Sequence, residues 1–498
     1  MQVVSATIKS TRPQSESFMK YVLISILLFA LPLHAQTISD ADFDSNTEIG
    51  FADFLLFVQA FGSNNATFDL NNDGSVNFPD FLFFTSVFGQ SISTTPPNIL
   101  LIIADDIGID ACPGYNVGTE KPNMPNLESL INTGIIFDNV WATPICSPTR
   151  ATILTGKYGF RTGVLDADAN HEISLSETSL QKYLDENAPT PYAQTIIGKW
   201  HLSGQSNGGR NNPSQMGITN YAGLLTGSHD DYWNWTFTEN GQQSTQTEYA
   251  TTVFTDLSIN WVAQQQTPWF LWLAYTAPHT PFHLPPKSLL QNNTLSGTTS
   301  DIEANPLAYY FAMLQALDTE IGRLLTTIDR DNTLIIFIGD NGTPRRVIQS
   351  PFRAARAKGT VYEGGVHVPL IVSGKGITRT GQRESAFINS ADLFATIADI
   401  ANTGITNIHD SNSFKSLLTG DSQQRRTFLF TEVIQNNLNQ WAVRDSTHKL
   451  IDFGNGTQEF YHILNDPYEQ TNLLDTTLDG EASQAKTKLE TLVQNLKN

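Results

Sequence analysis

Apolar residues in this chain gather into a few unbroken runs set apart by long polar stretches. Asn98-Ile99-Leu100-Leu101-Ile102-Ile103, Trp269 to Ala274 and Thr333 to Ile338 are short runs with no polar face. Such runs read as parallel strands covered on both sides. Leu307, Phe311, Leu314, Leu317, Ile321, Leu324, Leu325 and Ile328 recur at roughly helical spacing, which predicts one long amphipathic helix from Pro306 to Ile328. Strands alternating with helices predict an α/β domain. Thr427 to Val433 and Trp441 to Val443 are candidate strands, and 480–497 a closing helix. A main body over 98–424 followed by a smaller α+β subdomain over 425–498 is therefore expected.

A different apolar run lies near the N-terminus. Tyr21 to Leu33 is too short to span a bilayer and too apolar for a surface loop. Met19-Lys20 precedes it and His34-Ala35-Gln36 follows, the layout of an export signal. Translation from Met19, cleavage after Ala35 and a secreted, periplasmic or cell-surface protein are expected, with an N-terminal membrane anchor as the alternative. No Cys follows the run, so a lipoprotein anchor is not expected. Residues 1–36 are set aside from the fold.

Residues 37–90 carry an internal repeat. Asp42, Asp44, Asn46 and Asp53 occupy positions 1, 3, 5 and 12 of a loop followed by a Phe/Leu run that ends at Phe61-Gly62. Asp69, Asn71, Asp73 and Asp80 repeat the pattern before a run that ends at Phe88-Gly89. Oxygen side chains at those positions are what a flexible twelve-residue Ca²⁺ loop requires. Gly74 supplies the sharp turn at position 6 of the second loop, where the first has Thr47. The pair resembles a dockerin-like double EF-hand module. That resemblance implies a small all-α unit holding up to two Ca²⁺ and attachment to a cohesin-like or cell-surface partner. The helices are unusually rich in Phe, a departure from the dockerin recognition surface, and a Ca²⁺-stabilised structural domain is the alternative. Residues 91–97 read as a linker.

Charge and composition narrow the function. At about 150 residues per domain, 498 residues suggest roughly three domains. The formal net charge of −20 argues against a nucleic-acid binder. It leaves room for an anionic substrate, because a pocket can be positive inside an acidic protein. Two cysteines, Cys112 and Cys146, cannot make a disulfide scaffold, although they could bridge each other.

The candidate chemistry sits at strand ends. Asp105-Asp106 follow the first predicted strand and Asp340-Asn341 the third, where ligands gather in open α/β sheets. Clustered carboxylates are costly to bury without a partner. A hard cation resolves the cost, and oxygen ligands favour Ca²⁺ or Mg²⁺. In Cys146-Ser147-Pro148-Thr149-Arg150, Pro148 suits the first turn of a helix, which puts Cys146 at a helix N-terminus. Arg150 lies one turn on.

With this motif and the Ala151 to Gly156 segment after it, the chain resembles a type I, formylglycine-dependent sulfatase of the alkaline-phosphatase-like superfamily. The match continues through Gly198-Lys199-Trp200-His201, Pro278-His279, Gly339 to Gly342, Lys358-Gly359-Thr360 with Glu363-Gly364-Gly365, Lys449-Leu450-Ile451 and Asn465 to Glu469. The resemblance implies a central mixed sheet flanked by helices. It implies hydrolysis of sulfate esters, with Cys146 oxidised to formylglycine by a maturase and Ca²⁺ held by Asp105, Asp106, Asp340, Asn341 and residue 146. One oxygen of the hydrated aldehyde would attack sulfur, and the other would help expel sulfate. Arg150 would steady that group, and Lys199, Lys358 and His279 would bind sulfate. His201 would accept a proton, and His279 would protonate the leaving oxygen.

The export signal and appended module suit a sulfated carbohydrate as substrate. A phosphodiester or phosphonate ester hydrolase is the rival within the superfamily, and a non-catalytic carbohydrate-binding protein the rival outside it. Asp230 to Trp235 is an aromatic cluster that could contact sugar or fill a core. Arg345, Arg346, Arg353 and Arg356 form a local basic patch that could hold further sulfates, or a solvated loop.

Overall fold

The computed structural model describes residues 38–44, 46, 48–90, 95–291, 294–420 and 426–498. The export-signal reading of residues 1–36, Thr47 and most of the expected linker lie outside the described residues, and the expected boundary at 424/425 falls within 421–425, also outside them. The chain divides into two units, Met1–Thr94 and Thr95–Asn498. Among the described residues no helix is long and apolar enough to cross a membrane.

The smaller unit contains two ten-residue helices, α1 (Phe51–Ala60) and α2 (Phe78–Val87). Each starts where an Asp three residues in accepts the backbone N–H of the residue before the helix, Asp53 from Gly50 and Asp80 from Asn77. That bond satisfies one of the N–H groups a helix start leaves unpaired. Ile49, Phe57, Leu70, Val76 and Phe84 form its core.

In the larger unit, β1 (Asn98–Ala104) lies at the centre of a ten-stranded sheet. Its neighbours are β7 (Trp269–Ala274) and β8 (Thr333–Gly339), both parallel to it. These are the three runs expected to be strands. Beyond β7 come β3 (Ala193–Lys199) and β4 (Tyr221–Leu224), then the antiparallel β5 (Trp235–Glu239) and β6 (Gln242–Gln246). Beyond β8 come β9 (Leu370–Gly374), β2 (Gly134–Trp141) and β10 (Gln382–Asn389). Because β9 is antiparallel to both β8 and β2, β2 runs in the direction of β1.

Side chains of β1 alternate between two cores. Leu100 and Ile102 join one, and Ile99, Leu101 and Ile103 join the other. A strand buried on both faces has no polar side to alternate with, which explains its continuous apolar sequence. Helix α3 (Cys146–Thr155) packs on one face, and α4 (Pro306–Leu325) packs on the other through Leu314, Leu317, Ile321 and Leu324. Helix α4 stops at Leu325, short of the expected Ile328, although Ile328 still belongs to the core. The β-branched pair Thr326-Thr327 is a poor continuation, and Thr326 and Thr327 turn their hydroxyls onto Arg323 and Leu324 carbonyls.

The C-terminal part is a four-stranded antiparallel sheet of β11 (Leu429–Gln435), β12 (Leu438–Arg444), β13 (Lys449–Asp452) and β14 (Gln458–Tyr461), closed by the helix Gly480–Lys497. Leu429, Val433 and Tyr461 share a core with Trp141 of β2 and with Val361 and Val366. The smaller sheet thus braces the main one.

Candidate active site

The parallel strands β1, β2, β3, β7 and β8 all end on one edge of the sheet, and each expected site residue leaves from that edge or from the loop after β8. The register pairs Ala104 with Gly339, so Asp105 and Asp340 follow side by side. Asp106 donates its N–H to Asp340 Oδ1 at 3.0 Å, and Asn341 Nδ2 donates to Asp106 Oδ1 at 2.8 Å. Asp106 has a left-handed backbone, φ 72°, which a non-glycine residue rarely adopts. That conformation is held by this N–H bond and by Tyr310, whose hydroxyl donates to the Asp106 carbonyl.

Cys146 is the first residue of α3, as expected from Pro148 two positions on. Its Sγ lies 3.3 Å from His201 Nδ1. Arg150, one turn further, is buried and pairs with Asp340 Oδ2 at 2.7 Å and Asp105 Oδ2 at 3.6 Å. It also donates to the Lys199 carbonyl, tying the helix to the end of β3. Lys199 Nζ lies 2.5 Å from Asp105 Oδ2, and Lys358 Nζ 2.5 Å from Asp106 Oδ1. The lysines expected to meet sulfate therefore also neutralise the acids. His279 Nε2 stands 3.8 Å from Asp106 Oδ2. Every residue of the expected site is brought to this one place. Cys112 and Cys146 are both free thiols, so the bridge between them is not formed.

The electrostatics are those of a dense buried cluster. Burial pushes the Cys146 thiol up against the pull of Lys199, so sulfur stays protonated. Burial, with Lys199 and Arg150, holds His201 well below the usual histidine range, leaving a neutral ring. Burial and Asp105 raise the Asp340 carboxyl, while Arg150 and Lys199 oppose them. Burial also raises Asp106, but Lys358 and His279 overcome it and its carboxyl ends lower than usual.

Within this cluster two buried oxygens accept no hydrogen bond, Asp105 Oδ1 and Asn341 Oδ1. Orphaned acceptors in a buried acidic cluster are costly, and a hard cation satisfies them. Oxygens of Asp105 and Asp106 also lie with a His279 nitrogen inside 4.8 Å of one another. The residues present fit Ca²⁺.

The site has a supporting layer that sequence reading missed. The Tyr232 hydroxyl bonds the carbonyls of Thr276 and His279 at 2.9 and 2.7 Å, fixing the turn that carries His279. Tyr232 and Trp235 are buried, so the core reading of the aromatic cluster holds for them. Gly227 faces the His201 ring so closely that a Cβ there would lie 2.3 Å from it. A single glycine in a polar loop carries no signal of such an approach.

Behind Lys358, the short helix α5 (Glu363–Val366) packs on the Asn341 turn through the bond from Gly342 N to Gly365 O. Glu363 meets Lys449 of β13 at 3.1 Å, and Lys449 meets Glu469 at 2.7 Å, all buried. Glu469 in turn accepts the Glu363 N–H. The motif residues near the C-terminus thus hold the turn that follows β8 from behind.

In the N-terminal unit both loops close on their own backbone. Asp53 Oδ1 accepts the N–H groups of Phe43 and Asp44, and Asp80 Oδ1 that of Asn71. Asp69 accepts from Asp73 and Gly74, with Gly74 at φ 94° as its position requires. Asn46 donates its N–H to Asp42. Asp42, Asp44 and Asp53 bring oxygens within 4.8 Å of one another, a grouping that could hold a cation.

Comparison with known proteins matches residues 97–403 to the family model Sulfatase and residues 356–498 to the model N-sulphoglucosamine sulphohydrolase, C-terminal. The uncharacterized sulfatase YdeN of Escherichia coli (strain K12) is 27% identical over 368 residues, covering 62% of this chain and 63% of that protein. The ulvan-active sulfatase of Formosa agariphila is 26% identical over 415 residues, covering 77% and 78%. Among solved structures, Ps i-CgsB in complex with k-i-k-neocarrahexaose superposes with a TM-score of 0.66 at 22% identity, covering 81% of this chain and 93% of that one. That likeness supports the mixed sheet with flanking helices.

Proposed function

This chain belongs to the sulfatase family, and from that premise we propose that it hydrolyses sulfate esters of a sulfated carbohydrate, using a formylglycine made from Cys146 by a maturase and a Ca²⁺ ion. Asp105, Asp106, Asp340, Asn341 and residue 146 would hold the ion. The observation that carries the reading is convergence: Cys146, at the head of α3, faces His201 while Arg150 of the same helix pairs with both Asp105 and Asp340. The names of two relatives, one acting on ulvan and one bound to a neocarrahexaose, support the carbohydrate.

Bound Ca²⁺ would supply Lewis-acid chemistry, and formylglycine an oxygen nucleophile that a protonated buried thiol lacks. The remaining work falls to side chains already placed. Lys199 and Lys358 set positive charge where sulfate oxygens would sit. His201, kept neutral, presents Nδ1 to position 146 and can accept a proton there. His279, on its Tyr232-braced turn, would protonate the leaving oxygen. Arg150 holds α3 against the acids.

Mass spectrometry of the peptide Ile145 to Lys157 tests the reading. Formylglycine lowers the Cys residue mass by about 18 Da. The mature protein should release sulfate from members of a sulfated-oligosaccharide panel, and Cys146→Ala should abolish release with the fold intact. Active protein carrying an intact thiol would overturn the formylglycine assignment. Faster turnover of a phosphonate ester than of any sulfate ester would move the chain to the rival activity.

The N-terminal unit we read as a dockerin-like Ca²⁺ module. Support comes from its paired acidic loops and from an apolar face that repeats: Phe51, Leu55 and Phe61 are exposed, and so are Phe78, Leu82 and Phe88 at the matching positions of the second copy. A cohesin-like or cell-surface partner is proposed for that face. Export through residues 1–36 belongs to the same proposal.

A further inference from the structure

The loop after Asn341 leaves the site and returns to it. Lys358 N donates to the Thr343 carbonyl at 3.1 Å, and Gly359 N to the Pro144 carbonyl at 2.8 Å. Residues 344–357 are therefore an excursion with both feet in the site, one two residues past Asn341 and the other at Lys358. Phe352 turns inward onto Tyr468. Arg345, Arg346 and Arg353 are exposed. Arg345 Nε donates to the Ala354 carbonyl at 3.2 Å, which brings one limb of the excursion beside Arg353 on the other.

The fourth arginine of the patch is already committed. Arg356 bonds the Tyr461 hydroxyl and the Glu469 carbonyl, stacks on Tyr362 and lies 3.8 Å from Glu459. Eight arginines of the described residues have a carboxylate within 4.0 Å: Arg150, Arg161, Arg323, Arg356, Arg379, Arg383, Arg426 and Arg444. Among the described residues Arg345, Arg346 and Arg353 have none, and neither do the separate Arg210 and Arg330; Arg346 also donates to the Glu303 carbonyl at 3.1 Å, and the chain's net charge is −20. Acids are abundant, so unpaired cations clustered on one excursion leave a locally positive rim that attracts anions. Guanidinium groups match sulfate and carboxylate geometry.

We propose that Arg345, Arg346 and Arg353 form a second anion subsite on the rim of the sulfate pocket, which takes a further sulfate or carboxylate group of the same glycan. The inference rests on the sulfatase reading and names the substrate class: a glycan carrying several anionic groups. The sulfate cleaved and the anion gripped are separate groups on neighbouring sugars.

Binding by the full chain with Cys146→Ala, in Ca²⁺ buffer, tests this without turnover. The probes are a neocarra-hexaose bearing several sulfates, a uronate-bearing hexasaccharide with one sulfate, and a monosulfated disaccharide. The subsite should make each hexasaccharide bind more tightly than the disaccharide, and added NaCl should erode that advantage. Adding Arg345→Ala, Arg346→Ala and Arg353→Ala together should cut the ratio of hexasaccharide to disaccharide affinity about tenfold, as three exposed ion pairs warrant. Loss only with the sulfated hexasaccharide assigns the subsite to sulfate, and loss only with the uronate one to carboxylate. An unchanged ratio, an equal loss on the disaccharide, or no initial advantage overturns the subsite. If the ratio falls yet mature protein cleaves no sulfate ester, the subsite stands and the sulfatase reading fails.

Discussion

Two acidic regions of this molecule hold their charge in opposite ways. In the larger unit, Asp105, Asp106 and Asp340 are buried and answered by Lys199, Lys358 and Arg150. In the N-terminal unit, residues 38–94 contain eight acids and no Lys, Arg or His. There the carboxylates take backbone N–H groups of their own loops. The first region carries its counter-charge within the fold, so on the proposed reading a bound cation would add chemistry there. The second has none, so a bound cation would add stability. The same residue type, offered as oxygen donor, would then serve catalysis in one place and folding in the other.

Chelation should separate the two most strongly. A site filled a thousandfold above its dissociation constant contributes about 4 kcal/mol. Residues 38–94 contain no Trp or Tyr, so Trp fluorescence reports the larger unit alone. Chelator should abolish the calcium-dependent part of the phenylalanine near-ultraviolet dichroism and sensitise the N-terminal unit to protease, while leaving the Trp signal unchanged. A Trp signal that collapses with the Phe signal would break the contrast.

In the larger unit it is loss of a base that should hurt most. Lys449→Met leaves Glu363 and Glu469 buried against each other, and removal of one partner from a buried pair costs about 3–5 kcal/mol. Urea unfolding followed by Trp fluorescence measures it. A change under 1 kcal/mol, about the worth of an exposed pair, would show that the cluster is solvated rather than closed.

The smallest effect belongs to a single acid of the second loop. Asp80→Ala removes the acceptor for the Asn71 and Asn77 N–H groups and should cost the N-terminal unit about 1–3 kcal/mol. It should lower bound calcium as counted by elemental analysis. Unaltered calcium would remove Asp80 from the ligand set while leaving its capping role.

How much of this was readable beforehand depended on whether a feature was local. Strands β1, β7 and β8 showed in the sequence because burial on both faces forces a continuous apolar run. Cys146 showed at its helix start because Pro148 is favoured in the first turn of a helix. Strands β5 and β6 did not show. The exposed β6, Gln242–Gln246, has no apolar alternation to betray it. Nor did Tyr232, whose contact with His279 spans 47 residues and is made to backbone carbonyls that no side-chain pattern encodes. Arg356 looked like its neighbours in sequence and differs only because Tyr362 and Tyr461 come to meet it.

The excursion between Thr343 and Lys358 is clasped at its base by one backbone bond and by a second from Gly359 to Pro144. Below that clasp stand the acids and lysines, while Gln349 and Arg356 tie the excursion inward to Asp110 and Glu469. On the sulfatase reading, exchanges confined to the exposed Arg345, Arg346 and Arg353 would alter which glycan is held while leaving the machinery that removes sulfate as it is.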